Sequence, residues 1–451
     1  MIGSNMKILS GLRKSVVRFL EIRRIRQEHE MLVQAAVRRD TAYIKKLPAN
    51  LKTCSHEQLA EIKAFWKPYE SLYPNQALTQ VVLYKQSGKF DPSYVPFGLQ
   101  FHILSRFWNH SSFSVFRSKN YSCLLFPFVK SPENVVTCSY GIYRDTEGNV
   151  LTLRDAVLKI YMALKTEKEL IIKPALDSGS GTGIVFLTAK DTTEYIAKVV
   201  RQMTPDFVCQ KILKNHPSFS TGENACNTLR LMTLVVGNEV HFVGATWRMS
   251  TGKRVDNFDA GGIICQVDHN GICADFAINK KGQRFEEHPN GFKFKGHKLF
   301  RADEIIETAI KCHKCIMQQK YISWDFTVDE VGDIVFLEMN SPGGTELIQC
   351  LGINSYINRD IAKKIFDEYI YFAKATMKWN YREYSDHVYL MKYYGNAKKV
   401  VIPEFFMGKK VTLLAGGAFD DSRVTEVVKS QDIPFAVTMG KRGSQITVQE
   451  I

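Results

Sequence analysis

Three oxygen-bearing side chains stand close together in the sequence around residue 330. Asp325, Glu338 and Asn340 lie in two apolar-rich runs separated by a polar turn with Gly332, a pattern that predicts a β-hairpin. If the turn is centred just before Gly332, Asp325 lies directly across from Glu338. Strand side chains alternate between faces, so Asn340 shares the face of Glu338. Two carboxylates and an amide suit Mg²⁺ carried with nucleotide phosphates, although for this segment taken alone a surface hairpin with exposed acids is the more common arrangement.

A lysine and a glycine-rich loop precede this hairpin in the chain. Lys173 interrupts the apolar run of residues 169–174, and a charged side chain is rare there unless its charge has a partner. The loop that follows, residues 177–183, has three glycines and two serines. Its backbone N–H groups can form a nest for phosphate oxygens, with Lys173 as a point charge beside them. A flexible linker has the same composition, so the loop alone does not distinguish a phosphate-binding site from a linker.

Two arginines lie on neighbouring predicted strands. Arg230 falls in residues 229–236 and Arg248 in residues 239–248, and a turn at 236–238 joins the two runs. Arginine presents a rigid fork of donors that matches carboxylate and phosphate oxygens. Near a metal site, the pair could stabilise a transferring phosphoryl group or an acyl-phosphate oxyanion. Solvent exposure remains the alternative for either arginine taken singly.

The elements that must position these residues are strands and helices in an α+β order. The spacing of apolar residues predicts further strands over 169–174, 184–187 and 207–212, and helices over 191–203, about 302–320 and 355–378. From about residue 386 onward, short strands follow one another with no long helix between them, which indicates a separate small module.

The chain has 451 residues and a net charge of +14, part of which lies in the first forty residues. Apolar residues recur there at helical spacing, which predicts a basic amphipathic helix. That helix could dock on the protein core or lie on an anionic membrane surface. Nucleic-acid binding is not expected, because no zinc pattern, aromatic platform or recognition helix accompanies the charge.

The distribution of apolar and cysteine residues bears on the compartment of the protein and on membrane insertion. No run approaches 18 consecutive apolar residues, so we expect no transmembrane helix. Arg13, Lys14 and Arg18 interrupt the first apolar positions, which argues against a secretory signal. Ten scattered cysteines fit reduced thiols. The protein is therefore expected to be cytoplasmic, with peripheral contact at the inner face of the membrane as one option.

Taken in order, these residues resemble the ATP-grasp superfamily. The matching segments are Lys173 with its glycine loop, the strand ending at Gln210-Lys-Ile, Asn227-Thr-Leu-Arg, Trp247-Arg, Asn257-Phe-Asp-Ala-Gly-Gly and the Asp325/Glu338/Asn340 triad. The spacing of the triad is similar to that of D-alanine–D-alanine ligase-like members. The Lys-Pro loop, the Asn-Thr-Leu-Arg motif and Trp-Asp-Phe resemble the sugar-transfer-associated ATP-grasp group. The resemblance spans roughly residues 115–355.

The resemblance implies an ATP-grasp fold, in which two α+β subdomains sandwich ATP. Together with the flanking regions described above, the chain is predicted to comprise a basic helical region over 1–95, the ATP-grasp domain over 96–380 and the small β-rich module over 386–451. The nucleotide would be bound by two lysines, by the glycine loop and by backbone groups of one strand end, namely Lys119, Lys173, Ser178, Gly179, Ser180, Gly181, Thr182, Gly183, Gln210, Lys211 and Ile212.

The same resemblance implies the metal ligands and the catalytic groups. Asp325, Glu338 and Asn340 would hold one or two Mg²⁺. Arg230, with the metals, would neutralise charge on the transferring phosphoryl group. Arg248 and Asn257 would orient the acyl phosphate, and Lys253 is a candidate substrate contact. Many ligases of this superfamily carry arginine two residues before the first metal acid, whereas this chain has Ser323 there.

The tail also resembles a known type of repeat. Residues 400–404, 408–411, 416–419 and 433–434 look like BspA-like leucine-rich repeats. Such repeats stack, and usually at least three are required for stability. About two are visible, so the module could pack on the main domain or on a protein partner.

These features lead to one principal functional expectation and two alternatives. The principal one is an ADP-forming ligase that joins a small-molecule or glycan-linked carboxylate to a nucleophile acceptor, in polysaccharide or cell-envelope glycan biosynthesis. The first alternative is a kinase that phosphorylates a sugar-like hydroxyl. The second is a nucleotide-regulated scaffold without turnover, which uses the basic helix and the repeat module as docking surfaces.

Overall fold

The computed structural model describes residues 2–45, 55–70, 90–109, 115–176, 183–222, 225–237, 239–254, 256, 258, 261–280, 283–341, 343, 359–376, 378–384, 386–406, 409–420, 422–434 and 445–451. The chain divides into two compact units. The first comprises residues 111–356 with 86–89, and the second comprises residues 1–85, 90–110 and 357–451. Each unit contains both helices and strands, so the expectation of a mixed helix and strand architecture is confirmed.

The helices are numbered here in chain order. They are α1 (Ile2–Lys45), α2 (His56–Trp66), α3 (Ser105–Trp108), α4 (Ser122–Leu125), α5 (Leu153–Glu167), α6 (Thr193–Met203), α7 (Ala302–Lys314) and α8 (Arg359–Thr376). Short 3₁₀ turns lie at Lys67–Tyr69, Lys119–Tyr121 and Pro217–Phe219, and a π-helical segment lies at Leu99–Leu104.

The strands are β1 (Asn134–Ser139), β2 (Ile142–Arg144), β3 (Val150–Leu151), β4 (Glu169–Pro174), β5 (Val185–Thr188), β6 (Phe207–Lys211), β7 (Thr228–Val236), β8 (Glu239–Met249), β9 (Ile263–Val267), β10 (Cys273–Ile278), β11 (Arg284–Phe285), β12 (Tyr321–Val328), β13 (Ile334–Asn340), β14 (Trp379–Glu383), β15 (His387–Tyr393), β16 (Lys399–Val401), β17 (Phe405–Phe406), β18 (Lys409–Leu414), β19 (Glu426–Lys429) and β20 (Thr447–Glu450).

The first sheet of the 111–356 unit has six strands in the order β3-β2-β1-β6-β4-β5. Helices α5 and α6 bury their apolar stripes against it, and Ile160 and Val200 are fully buried there. Threonine side chains cap both helices, because Thr152 accepts from the Asp155 N–H and Thr192 from the Tyr195 N–H. This sheet carries Lys173 on β4.

The second sheet of this unit has seven strands in the order β11-β10-β9-β8-β7-β12-β13. One face holds the largest apolar cluster of the described residues, built on Trp247, Trp324 and Phe336 and covered by α7. Strand residues alternate between faces, so the opposite face takes the residues between these aromatics. That opposite face carries the polar residues that the sequence singled out.

The predicted hairpin is confirmed, with β12 and β13 as its strands and Gly332 in its turn at φ +94°. Asp325 lies directly across from Glu338, as expected. The turn itself pairs Val328 with Ile334, so it is centred one half-residue earlier than predicted. A β-bulge after Asp325 shifts the register by one residue, and this shift brings Asp325 opposite Glu338.

Helix α7 is shorter than the sequence predicted, because it ends at Lys314 and not near residue 320. The buried imidazole of His313 explains the ending. Its Nε2 lies 2.5 Å from the Gln319 carbonyl and its Nδ1 lies 2.6 Å from Thr233 Oγ1. These contacts hold residues 315–319 in turns that lead directly into β12. Burial lowers the pKa of His313 to about 4, so the imidazole is neutral near pH 7.

The second unit contains α1, α2, α3, α8 and two small sheets with the orders β14-β15-β18-β17 and β16-β19-β20. The two sheets share a core that includes Trp379, Leu414 and Val427. In the smaller sheet all strands run parallel, with Lys399 paired to Glu426 and Glu426 paired to Thr447. Near α2, Arg359 pairs with Glu61 at 2.9 Å.

Among the helices of the described residues, none is both long and apolar enough to cross a membrane. The eight cysteines that the structure describes are free thiols.

Candidate functional site

The polar face of the seven-stranded sheet aligns charged residues from neighbouring strands. Register places Arg230 of β7 opposite Asp325 of β12, and Asp325 opposite Glu338 of β13. Two residues before Arg230 on β7, Thr228 lies opposite Arg248 of β8. Because paired strand residues point to the same face, these side chains form one continuous polar row.

Arg230 and Asp325 form the centre of this row. The guanidinium donates from Nε to Asp325 Oδ1 at 2.7 Å and from Nη2 to Oδ2 at 2.5 Å. Arg248 Nη1 lies 3.7 Å from the same Oδ2. Burial disfavours the charge of Arg230, but the charge and hydrogen bonds of Asp325 outweigh it, so the pKa of Arg230 is raised. Arg230 is therefore held in the site with its charge retained.

Lys119 binds the second carboxylate of the row. Its Nζ lies 2.8 Å from Glu338 Oε2, and Lys119 is 8% exposed. Asn340 Nδ2 donates to the other oxygen, Glu338 Oε1, at 3.3 Å. Burial alone would raise the pKa of Glu338, but the charges of Lys119 and Arg230 lower it well below its usual range. Glu338 is therefore a carboxylate at every physiological pH.

Lys173 lies half-buried on β4. Burial lowers the pKa of its ammonium to about 8, the charge of Glu338 opposes that shift and the charge of Lys119 adds to it. Lys173 thus joins Lys119 and Glu338 electrostatically, although the two lysines lie far apart in sequence.

Of the glycine loop, residues 178–182 lie outside the described residues. Gly183 is described, with φ +79°. A Cβ at that position would lie 3.0 Å from Pro174 Cγ, so both backbone conformation and space require glycine at the end of the loop.

The strand end predicted to hold adenine is β6 with Ile212 after it. Gln210 is buried and its Nε2 donates to Asn134 Oδ1 at 2.8 Å. The Lys211 side chain binds Glu133 and Glu167, and its backbone N–H donates to the Glu133 carbonyl at 3.0 Å. That N–H is thus already used within the sheet, a detail that no sequence pattern signals.

The loop after β8 was predicted to contact substrate through Lys253 and to orient the acyl phosphate through Asn257. Asn257 lies outside the described residues. Lys253 is exposed, and its backbone N–H donates to Ser250 Oγ at 2.9 Å. The Ser250 carbonyl in turn lies 2.7 Å from Nε2 of the buried His288. This contact fixes the start of the loop to the protein interior.

The next residue, Arg254, joins the loop to the β4–β5 hairpin. Its guanidinium carbon lies 3.8 Å from the centre of the Phe186 ring, and its Nη2 donates to Glu169 Oε2 at 2.8 Å. Glu169 and Lys173 alternate onto the same face of β4. The loop that carries Lys253 therefore lies against the face that carries Lys173.

Asp256 is a site residue that the sequence reasoning missed. Its Oδ2 accepts a short hydrogen bond from Thr228 Oγ1. Burial raises the pKa of Asp256, while the charge of Arg248 opposes the shift. The available signal was its position immediately before Asn257, in a loop already assigned to the site.

The donor set on this face suits a hard cation bound together with a nucleotide. Among the described residues, no group of three or more His, Cys, Asp and Glu side chains could hold a metal ion. Asp325, Glu338 and Asn340 instead offer two carboxylates and one amide, all through oxygen. Mg²⁺ typically takes one or two carboxylates and completes its shell with phosphate and water, so the residues present fit that ion.

The chain is similar to one known protein family and, at low identity, to several solved structures. A family model described as sugar-transfer associated ATP-grasp matches residues 128–363, just over half of the chain. No curated protein matches the chain.

Several solved structures are similar at low identity. D-cycloserine synthetase DcsG is 11% identical with a TM-score of 0.34, and the match covers 56% of this chain and 70% of that one. D-alanyl-alanine synthetase A from Vibrio cholerae is 13% identical with a TM-score of 0.33, over 57% and 66%. A biotin carboxylase from Campylobacter jejuni is 16% identical with a TM-score of 0.35, over 56% and 46%. The last two matches span less than two thirds of those proteins, and similarity at this level does not establish a shared activity.

Proposed function

Because this chain belongs to the sugar-transfer associated ATP-grasp family, we propose that it is a Mg²⁺-dependent, ADP-forming ligase of the carboxylate–amine type. Its setting would be polysaccharide or cell-envelope glycan biosynthesis. The observation that carries the proposal is the row of Arg230, Asp325 and Glu338 with Lys119 against it. Such a row combines oxygen ligands for a cation with positive charges for phosphate and carboxylate oxygens.

ATP would be held between the lysines and the β6 strand end. Lys119 and Lys173 supply positive charge for the phosphate oxygens, and the loop 178–183 supplies backbone N–H groups. The adenine would lie against Gln210, Lys211 and Ile212. Support for this arrangement is the electrostatic coupling of Lys173 to Glu338 and Lys119, which brings the nucleotide lysines to the carboxylate row.

One or two Mg²⁺ ions would be held by Asp325, Glu338 and Asn340. When bound, they would neutralise charge on the transferring phosphoryl group. Binding of Mg²⁺ would free the carboxylates from their present ion pairs. Lys119 and Arg230, which now bind those carboxylates, would then bind phosphate oxygens. Their side chains need only exchange one anionic partner for another.

The reaction would begin with attack of a substrate carboxylate oxygen on the γ-phosphorus, which forms an acyl phosphate and releases ADP. Arg230 and Arg248 orient the carboxylate and stabilise the charge that builds on its oxygens. A nucleophile then attacks the acyl carbon and releases phosphate. Asn257 would help Arg248 to orient the acyl phosphate, and Lys253, in the loop after β8 that Arg254 joins to the β4–β5 hairpin, would contact the substrate.

Hydroxylamine separates this chemistry from phosphorylation of a hydroxyl. We expect the protein, given MgATP, hydroxylamine and a panel of acetate, D-alanine and D-glucuronate, to release ADP and to form a hydroxamate with at least one acid. Hydroxylamine traps an acyl phosphate but not a phosphate ester. ADP release with a sugar and without a hydroxamate would contradict the ligase assignment and favour a kinase. Intact MgATP binding with no turnover on either kind of substrate would favour a scaffold.

The terminal regions extend the proposal to partners and location. The C-terminal module would be a leucine-rich-repeat-like surface for a protein partner. Support is the parallel pairing of Lys399 with Glu426 and of Glu426 with Thr447, since these spacings fall within the range of about 20–29 residues found in such repeats.

The basic helix α1 would contact an anionic membrane surface on the cytoplasmic side. Arg23, Arg24, Arg38 and Arg39 are exposed on it, and each basic residue near such a surface contributes about 1 kcal/mol. Co-sedimentation with phosphatidylglycerol vesicles, compared with phosphatidylcholine vesicles, tests this. Equal recovery with both lipids would contradict it.

A further inference from the structure

Asp256 lies beside the polar row, on the side of Arg248. Its Oδ2 accepts the hydrogen bond from Thr228, the residue directly opposite Arg248 in the sheet. The charges of Arg248, Asp325 and Arg230 all act on it. The nucleotide lysines lie toward the other side of the row, where Lys119 binds Glu338. Asp256 is thus next to the arginines that would orient the acyl phosphate.

The other two carboxylates of the row are already committed. Asp325 is bound by Arg230 through two hydrogen bonds, and Glu338 is bound by Lys119. Within the described part of the chain, the Asp256 carboxylate has a single hydrogen bond, from Thr228, and no ion pair. Its second oxygen is therefore available to a ligand.

An acceptor amine arrives at neutral pH as an ammonium ion, and the cations of this site would repel it. A carboxylate near the acyl carbon removes that repulsion. An amine must also lose a proton before its nitrogen can attack, and a carboxylate within reach can accept it. The Asp256 carboxylate on this face can fulfil both requirements.

We propose that Asp256 binds the ammonium group of the acceptor amine and accepts its proton. The inference rests on the ligase function proposed above and assigns the residue that handles the acceptor. One N–H proton passes to Asp256, the nitrogen lone pair forms the C–N bond, and the acyl C–O bond breaks with its electrons on phosphate. The second N–H proton leaves with the phosphate, which gives an amide, hydrogen phosphate and protonated Asp256.

The environment of Asp256 supports proton acceptance. Burial raises the pKa of Asp256, against the opposing charge of Arg248. A carboxyl with a raised pKa is a stronger base than an exposed aspartate, and its hydrogen bond from Thr228 fixes the orientation of the accepting oxygen.

The test compares two nucleophiles in the full-length Asp256→Asn variant. Hydroxylamine is uncharged at neutral pH and needs neither ammonium binding nor prior deprotonation. The amine probes are ethanolamine and glucosamine, with the acid that gives the most hydroxamate for the unchanged protein. We expect amide formation to fall by about 100-fold or more in the variant, while hydroxamate formation and ADP release with hydroxylamine stay within about twofold.

Controls and contrary outcomes are distinct for the two proposals. Asp275→Asn, an exposed aspartate on β10, should leave both reactions unchanged. Thr228→Val keeps the carboxylate but removes its donor, and it should lower amide formation selectively even if the first variant does not fold. Equal loss of hydroxamate and amide would overturn the role of Asp256, as would unchanged amide formation. Absence of hydroxamate from the unchanged protein would instead contradict the ligase function itself.

Discussion

At the scale of single residues, the site is a set of buried charges that neutralise one another. Asp325 is 4% exposed and Lys119 is 8% exposed, and removal of one partner from such a pair is costly because the other is left without compensation. The pairing Arg230–Asp325 and the pairing Lys119–Glu338 thus fix the row before any ligand arrives. Substitutions here should act on ligand binding and on turnover together.

Replacement of Glu338 by Gln should remove one metal ligand and keep the side-chain volume. Without the carboxylate, less positive charge is held on the transferring phosphoryl group, and we expect the rate of ADP formation to fall by about 100- to 1,000-fold. A coupled ADP assay measures this. Glu330→Gln, at an exposed position in the turn of the same hairpin, is the control and should retain the full rate. An active Glu338→Gln protein would refute the metal assignment.

The pKa of Lys173 predicts how nucleotide affinity depends on pH. Burial lowers that pKa to about 8, so above pH 8 the free protein loses the positive charge that phosphate requires. Binding must then be accompanied by proton uptake, and the Kd for MgATP should rise about tenfold per pH unit above 8. Calorimetric titration from pH 7 to 9.5 measures the trend.

The matched variants for this trend are Lys173→Met and Lys190→Met. Lys173→Met should bind more weakly at pH 7 and show no such slope. Lys190→Met, at an exposed position after β5, should behave like the unchanged protein. A steep slope that persists in Lys173→Met would assign the titration to another group.

At the scale of secondary-structure elements, two connections bring the site together. The β12–β13 hairpin places Asp325 opposite Glu338, and the loop after β8 is joined to the β4–β5 hairpin by Arg254. The second connection is partly exposed, since the Arg254 side chain is 45% exposed. Its contribution should therefore be modest, and its effect should be on local opening and not on global stability.

Replacement of Arg254 by Ala should loosen the β4–β5 hairpin. Loss of a stacked and ion-paired arginine at an exposed site costs about 1 kcal/mol, which corresponds to about fivefold faster amide exchange in β5. Hydrogen–deuterium exchange followed by mass spectrometry measures it. Arg201→Ala, at an exposed position on α6, should leave the exchange of β5 unchanged. Unaltered exchange in the Arg254→Ala protein would show that this contact does not hold the hairpin.

The elements also show how far sequence reasoning reached. Two-residue alternation and the glycine of the turn predicted the hairpin. The direct pairing of Asp325 with Glu338 also depends on the bulge after Asp325, because the turn is centred half a residue earlier than predicted. The bulge that achieves this register has no local signal, because it depends on how β13 fits its neighbours. The early end of α7 was missed for a similar reason, since the contacts of His313 with Thr233 and Gln319 are tertiary. Asp256 was missed because its hydrogen bond to Thr228 joins residues far apart in sequence.

At the scale of the whole molecule, all described site residues lie in the unit of residues 111–356, and the other unit has its own apolar core. When a protein has two separate hydrophobic cores, one unit can unfold while the other stays folded and keeps its ligand-binding function. The C-terminal sheets should therefore unfold without abolishing nucleotide binding.

Leu414→Ala tests this independence. Leu414 is fully buried in the core of the second unit, and such a truncation costs about 2–5 kcal/mol. We expect urea denaturation to show an earlier transition for this unit, with the Kd for MgATP within about twofold of the unchanged value. Val401→Ala, at a 57% exposed position of the same unit, should shift neither. A parallel loss of MgATP affinity in Leu414→Ala would show that the units are coupled.

The two ion pairs of the carboxylate row have a consequence for how ligands enter. Each acid already has a cation supplied by the chain, Arg230 for Asp325 and Lys119 for Glu338. A magnesium ion alone would have to displace those cations and leave them without anions, and a nucleotide alone would compete with the acids for them. When both arrive together, every displaced charge finds a new partner. We therefore expect free Mg²⁺ to leave both ion pairs in place and to enter the row only together with the nucleotide.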